Sequence, residues 1–84
     1  MNISEYDFKN RSNTDCDPRG DEFSTLEDAI KECKTEKRCQ GIIIGNVNDI
    51  NRYNLCPTNA TTSIGNHIKT IFSEKIIIGK VFSN

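Results

Sequence analysis

Apolar residues between positions 24 and 35 recur at the spacing of one helix face: Leu26, Ala29, Ile30 and Cys33. Just before them, Ser24 and Glu27 have the spacing of a capping box, in which the Ser24 hydroxyl accepts from the backbone N–H of Glu27. We therefore predict a helix from residue 25 to about residue 35, with Ser24 as its N-cap.

The remaining pattern consists of short β-branched runs separated by turn residues. Strands are predicted at residues 3–8, 41–47, 53–56, 67–73 and 76–82. Two polar segments, residues 13–21 and 58–66, are predicted to be loops. The string IIIG occurs twice, ending at Gly45 and Gly79, and we predict a core strand at each place. These elements indicate an α+β fold, in which one α-helix packs on an antiparallel β-sheet of four to five strands.

Composition limits the size of the core and the classes of partner. The chain has 84 residues, 35% of them hydrophobic, so its core alone gives little stability. A net charge of −1, with both signs interspersed, argues against nucleic acid and anionic membranes as partners. The apolar runs are strand-sized and too short to cross a bilayer.

Four cysteines are the candidates for additional stabilisation: Cys16, Cys33, Cys39 and Cys56. Their even number in a short chain is typical of disulfide-stapled domains, and three pairings are open. A bridge between Cys33 and Cys39 would pin the helix end to the following strand. The alternative is an intracellular domain stabilised by a four-thiolate zinc site, but the C-x2-C knuckles typical of such sites are absent, so no metal is predicted.

Three Asn-x-Ser/Thr sequons, at Asn2, Asn10 and Asn59, are candidate N-glycosylation sites. Together with the cysteines they favour an extracellular location, secreted or at the cell surface. The polar N-terminus lacks a signal-peptide core. We therefore expect residues 1–84 to be a single domain that forms one module of a longer extracellular protein.

The segment FSTLEDAIKECKTEKRCQGIII resembles the PAN/apple domain family. Members of that family have a helix with a Cys at its end, a short basic loop, a second Cys and a strand entered through Gly or an aromatic residue. Cys33, the KTEKR loop, Cys39 and Gly41 occupy those places here. Downstream, YNLC at residues 53–56 is similar to a later cysteine-bearing strand, and HIKTIFSEK to the closing strand. The resemblance covers roughly residues 16–75.

This resemblance implies a five-stranded antiparallel sheet with one helix packed across it. It also implies a Cys33–Cys39 disulfide, which leaves Cys16 to pair with Cys56. Many members carry another helix cysteine one turn earlier, where this chain has Ala29. PAN/apple domains are binding modules for proteins or carbohydrates, so the resemblance implies an adhesion module that has no catalytic activity and no cofactor.

Arg19, Gly20 and Asp21 form the tripeptide that many extracellular proteins use to bind integrins. This suggests a second function, a secreted integrin ligand or antagonist. Such a role requires the tripeptide to lie at an exposed, mobile tip. The competing interpretation is a polar stretch of chain that leads into the helix.

A basic cluster near the predicted helix end consists of Lys31, Lys34, Lys37 and Arg38. It is a candidate site for sulfated glycans, as in some PAN/apple domains. Glu32 and Glu36 interrupt it, which favours a solvated, salt-bridged face. The lone histidine, His67, has no catalytic partner placed beside it by any pattern, and nucleophile motifs and phosphate loops are absent. We therefore expect a protein that is not an enzyme.

Overall fold

The computed structural model describes residues 2–82, with side chains described from residue 5 to residue 79. The elements, in chain order, are β1 (Asn2–Arg11), β2 (Thr14–Asp17), β3 (Glu22–Phe23), α1 (Leu26–Thr35), β4 (Cys39–Val47), β5 (Ile50–Pro57), β6 (Thr61–Ile64) and β7 (Ile71–Phe82). A five-stranded antiparallel sheet has the order β1-β7-β4-β5-β3, and β2 pairs with β6 in a separate two-stranded sheet. The predicted α+β class, one helix on an antiparallel sheet, is confirmed.

The core lies on both faces of β4. Ile42 and Ile43 point to opposite faces, and both are fully buried. Ile42 packs with the helix residues Ala29 and Cys33. Ile43 packs with Phe72 and with the two cysteines that join β2 to β5. Because both faces of β4 are covered, its sequence is a continuous apolar run rather than an alternating one.

The helix buries the predicted stripe, with Ala29 and Cys33 fully enclosed and Leu26 and Ile30 partly buried against the same cluster. Its N-cap was predicted one residue too early. Thr25, not Ser24, caps the helix, and its hydroxyl accepts from the backbone N–H of Asp28 at 3.2 Å. Both residues carry a suitable hydroxyl, and the turn leaving β3 brings Thr25 into the capping position.

The predicted loops at residues 13–21 and 58–66 are partly wrong, since they contain β2 and β6. Thr14 pairs with Ile64, and Asp17 with Thr61, in a short sheet that covers the Phe72 side of the core. Asn48 and Asp49, which follow the predicted strand at residues 41–47, form the turn of the β4–β5 hairpin. Both residues have positive φ, 52° and 64°, as the β4–β5 hairpin requires.

The two strands predicted at residues 67–73 and 76–82 are one continuous strand, β7, which begins at Ile71. Residues 71–74 pair with β4, and residues 72–74 pair with β1 as well, whereas the rest of β7 has β1 alone as its neighbour among the described strands. The second IIIG run is therefore not a core strand. Ile77 and Ile78 are each 58% exposed, and this part of β7 has only β1 as a neighbouring strand among the described residues.

Candidate functional site

A cleft of about 400 Å³ lies between the Arg-Gly-Asp segment, the C-terminal end of α1 and the end of β5. These parts are distant in sequence but meet because β3 pairs with β5 and the helix crosses the same strands. The lining residues are Gly20, Asp21, Glu36, Arg38, Cys39, Leu55 and Pro57. The cleft is thus the place where the predicted tripeptide and part of the predicted basic cluster come together.

Backbone hydrogen bonds hold the Arg-Gly-Asp segment against β5. The N–H of Gly20 donates to the Leu55 carbonyl at 2.7 Å, and the N–H of Leu55 donates to the Asp21 carbonyl at 2.9 Å. The Asn54 side-chain amide also donates to the Gly20 carbonyl at 3.2 Å. The segment therefore extends the edge of the sheet rather than forming a free loop.

The exposed Arg19 side chain forms a surface ion pair with Asp15. Its Nη2 and Nε atoms lie 2.9 and 3.2 Å from Oδ1 of Asp15. The integrin hypothesis stays a prediction: Arg19 and Asp21 are exposed, as it requires, but the backbone of Gly20 and Asp21 is hydrogen-bonded to β5 rather than forming a free loop. This geometry favours a role for Asp21 in the cleft.

Charged side chains at the mouth of the cleft surround an apolar floor. Asp21, Glu36 and Arg38 are exposed, whereas Leu55 is buried at the base. Oε1 of Glu36 accepts from the backbone N–H of Arg38 at 3.1 Å, which orients its carboxylate beside the helix end. Two carboxylates and one guanidinium give the cleft a net negative charge, suited to a cationic group.

Both disulfides adjoin the cleft. Cys33–Cys39 joins the last turn of α1 to the start of β4, and Cys39 itself lines the cleft. Cys16–Cys56 joins β2 to β5 between Leu55 and Pro57. These are the pairs that the family resemblance implies, and all four thiols are used, so none is left to bind zinc.

Lys75 holds the helix end in place from the opposite side. Its Nζ donates to the carbonyls of Cys33 and Glu36 at 2.6 and 3.1 Å and lies 4.6 Å from the centre of the Tyr6 ring. Partial burial lowers the pKa of Lys75 below 10.5, and attraction to Glu36 acts in the opposite direction. A cation at this position is favourable because the last carbonyls of a helix lack partners and carry partial negative charge.

A Lys75→Met variant is expected to lose about 1–2 kcal/mol of unfolding free energy, because both hydrogen bonds to the helix end disappear and relief of desolvation offsets only part of that loss. Lys69→Met is the matched control, since Lys69 is exposed in the loop before β7. Urea denaturation of the two variants measures the difference. Equal stabilities would show that Lys75 does not hold the helix end.

The predicted basic cluster does not form one surface. Lys31 lines a groove with Phe23, Asp28 and Glu32, whereas Lys34 lines another with Tyr6 and Ile78. Arg38 lies in the cleft, and Lys37 is exposed. Binding of an anionic glycan at these residues stays a prediction. Their separation into different grooves favours the other interpretation, a solvated, salt-bridged face.

The sequons occupy different settings. Asn59 is exposed in the turn between β5 and β6, and Asn10 is exposed on β1. The side chain of Asn2 lies outside the described residues. His67 is exposed in the loop that follows β6, and its ring packs against Gly65.

Sequence reasoning did not identify Leu55, Pro57 or Lys75 as parts of a site. Leu55 is an ordinary apolar residue of a short strand, and its backbone, rather than its side chain, holds the tripeptide. Lys75 stands before the second IIIG run, and its neighbours in sequence do not mark it as a partner of the helix. The hydrogen bonds from Lys75 to the helix end depend on how α1 lies across the sheet, which local sequence does not reveal.

Two buried disulfides are typical of proteins that fold in an oxidising, extracellular setting. Within residues 2–82, no helix is long and apolar enough to cross a membrane. The chain matches no protein-family model, no curated protein and no solved structure.

Proposed function

We propose that this chain is an extracellular, non-catalytic binding module of the PAN/apple type, and that it recognises a protein or carbohydrate ligand through the cleft beside the helix end. The resemblance in sequence supports the family, and the observed fold and cysteine pairs agree with what that resemblance implies. The observation that carries the proposal is the cleft itself, in which charged groups surround an apolar floor on a frame tied by two disulfides.

The chemistry of the cleft favours a protein ligand that presents a lysine or arginine side chain. Asp21 and Glu36 provide two carboxylates, and Leu55 and Pro57 provide apolar contact for the methylene stem of such a side chain. Sugar-binding sites commonly offer an aromatic ring for stacking. Among the described residues, none of those that line the cleft is aromatic.

A random-peptide phage library, selected on the immobilised wild-type domain, tests this proposal. Peptides enriched in lysine or arginine are expected to bind. An Asp21→Asn/Glu36→Gln variant should weaken that binding about tenfold, because two ion pairs with the ligand are lost while the shapes of the side chains are retained. Surface plasmon resonance with one selected peptide measures the change.

The matched control is Asp28→Asn/Glu32→Gln, which removes the same two charges from a different groove of the helix. It should leave peptide affinity unchanged. A glycan array probed with the same proteins tests whether the ligand is a carbohydrate instead of a protein. In that case glycan binding should depend on Asp21 and Glu36. Ligands that bind the wild type and both double variants equally would show that the cleft is not the recognition site.

A further inference from the structure

The free edge of β1 carries an ordered arrangement of opposite charges. The five-stranded sheet ends at β1, so one side of this strand has no neighbouring strand within the described residues. From residue 5 onward, where side chains are described, its odd-numbered side chains are exposed: Glu5, Asp7, Lys9 and Arg11. Two acidic residues are thus followed by two basic ones on the same face of the strand.

Phe8 lies at the centre of this arrangement of charges, and its backbone N–H is directed toward the free edge of β1. Its N–H donates to Oδ1 of Asp7 at 2.8 Å, a side-chain acceptor on the same strand. In an antiparallel pair, alternate residues direct their N–H groups to the same side. The N–H of Phe8 therefore faces the free edge, and a further strand could accept from it once the Asp7 carboxylate leaves it for a partner of its own.

We propose that two copies of this chain associate through β1, with a two-fold axis at Phe8. Two antiparallel strands related by a two-fold axis must place one residue opposite itself. With Phe8 at that point, Asp7 lies opposite Lys9 of the second copy. Glu5 likewise lies opposite Arg11 of the second copy, whose guanidinium also contacts Glu74 of its own chain at 3.0 Å. Each charge on this face thus meets its opposite, in four cross-strand pairs.

The backbone pattern agrees with the charge pattern. Phe8 of each copy would donate its N–H to the Phe8 carbonyl of the other, which makes Phe8 a hydrogen-bonded pair. The charged residues then fall at the non-hydrogen-bonded positions, where opposing side chains approach most closely. A two-fold axis at Asp7 would place Asp7 opposite Asp7 of the second copy, and an axis at Lys9 would place Lys9 opposite Lys9. The charges therefore favour the register in which the axis lies at Phe8.

Exposed charges also protect sheet edges from unwanted pairing, which is the competing explanation for this strand. Charged side chains can protect an edge strand in any order along the chain. Pairing about an axis at Phe8, by contrast, requires two acidic residues before Phe8 and two basic residues after it, with Asp7 and Lys9 nearest the axis, and this is the order present. The cleft lies beside β5 and β3, at the far edge of the sheet. The association would therefore leave both clefts open and join two binding sites in one particle, independently of which ligand they take.

Sedimentation velocity over a range of concentrations tests this proposal on the disulfide-intact chain. The wild type is expected to dimerise, and Asp7→Lys and Lys9→Asp should each raise the dimer dissociation constant about tenfold, because each places like charges opposite each other twice. An equimolar mixture of the two variants should associate as a heterodimer with about wild-type affinity, since its cross-strand pairs are again opposite in sign.

A single chain that carries both Asp7→Lys and Lys9→Asp should also dimerise, which serves as a second test if one single variant folds poorly. Far-UV circular dichroism checks folding, particularly because Lys9 lies opposite Glu74 on β7. A wild type that stays monomeric throughout would overturn the proposal. So would a dimer that persists in both single variants, which would point to another surface such as the exposed Ile77 and Ile78.

Discussion

A Cys16→Ala/Cys56→Ala variant is expected to lose about 4 kcal/mol of unfolding free energy, which corresponds to a melting temperature about 20 °C lower. The two cysteines are 40 residues apart, so their bridge restricts a large loop of the unfolded chain. A domain of this size has a total stability of only about 5–10 kcal/mol, so this one bridge supplies a large share of it.

The matched control is Cys33→Ala/Cys39→Ala, which opens a loop only 6 residues long. The same loop-entropy relation gives a loss of about 2 kcal/mol for this pair. All four cysteines are buried, so the packing losses on replacement by alanine are similar in the two variants. Thermal and urea denaturation should therefore show that the Cys16→Ala/Cys56→Ala variant is the less stable of the two. The reverse order would show that loop length does not determine how much each disulfide stabilises the domain.

Gly41→Ala is the single substitution expected to disturb the core most. A Cβ atom at Gly41 would lie 2.6 Å from the Ser73 carbonyl oxygen and would overlap the ring of Phe72. Neither neighbour can move freely, because Phe72 is 2% exposed and Ser73 belongs to the adjacent strand. We expect a loss of about 3 kcal/mol from overpacking.

Gly79→Ala provides the comparison for this prediction, because a Cβ at Gly79 meets nothing within 4 Å. Its unfolding free energy should change by less than about 0.5 kcal/mol. Both variants add one methyl group to a strand glycine, so any difference reports the surroundings of the glycine. Equal stabilities would show that β4 does not pack against Phe72 as closely as described.

The helix and the central strands could be predicted because their chemistry is local. The helix could be predicted from the helical spacing of the apolar residues that end at Cys33. The strand at residues 41–47 could be predicted from a β-branched run between turn residues. The cap was misplaced by one residue because Ser24 and Thr25 offer equivalent hydroxyls. The direction in which the chain leaves β3, set by its pairing with β5, selects between them.

The two IIIG runs show why composition does not determine burial. Ile42 and Ile43 are enclosed because α1 covers one face of the sheet and β2 with β6 covers the other. Ile77 and Ile78 belong to the same four-residue string but lie past the part of β7 that pairs with β4, where β1 is the only neighbouring strand among the described residues. The difference depends on the register between β4 and β7, which local sequence does not encode.

The candidate site was predictable only in fragments. Gly20 and Asp21 stood out as part of a known tripeptide, and Arg38 as part of a basic cluster, but each was assigned to a separate function. They share one cleft because β3 pairs with β5, a long-range pairing for which the two-residue strand offers almost no sequence signal. The polar strands β2 and β6 were missed for a similar reason, since a buried cysteine rather than an apolar pattern holds them to the core.

Two specific disulfides form the frame on which the cleft is built, and peptide mapping without reduction identifies them. Trypsin cleaves between all four cysteines and leaves each in a separate peptide: residues 12–19, 32–34, 39–52 and 53–69. We expect two linked products, 12–19 with 53–69 and 32–34 with 39–52. Four alkylated thiols, or a link between any other two of these peptides, would show that the cleft is not held by these two disulfides.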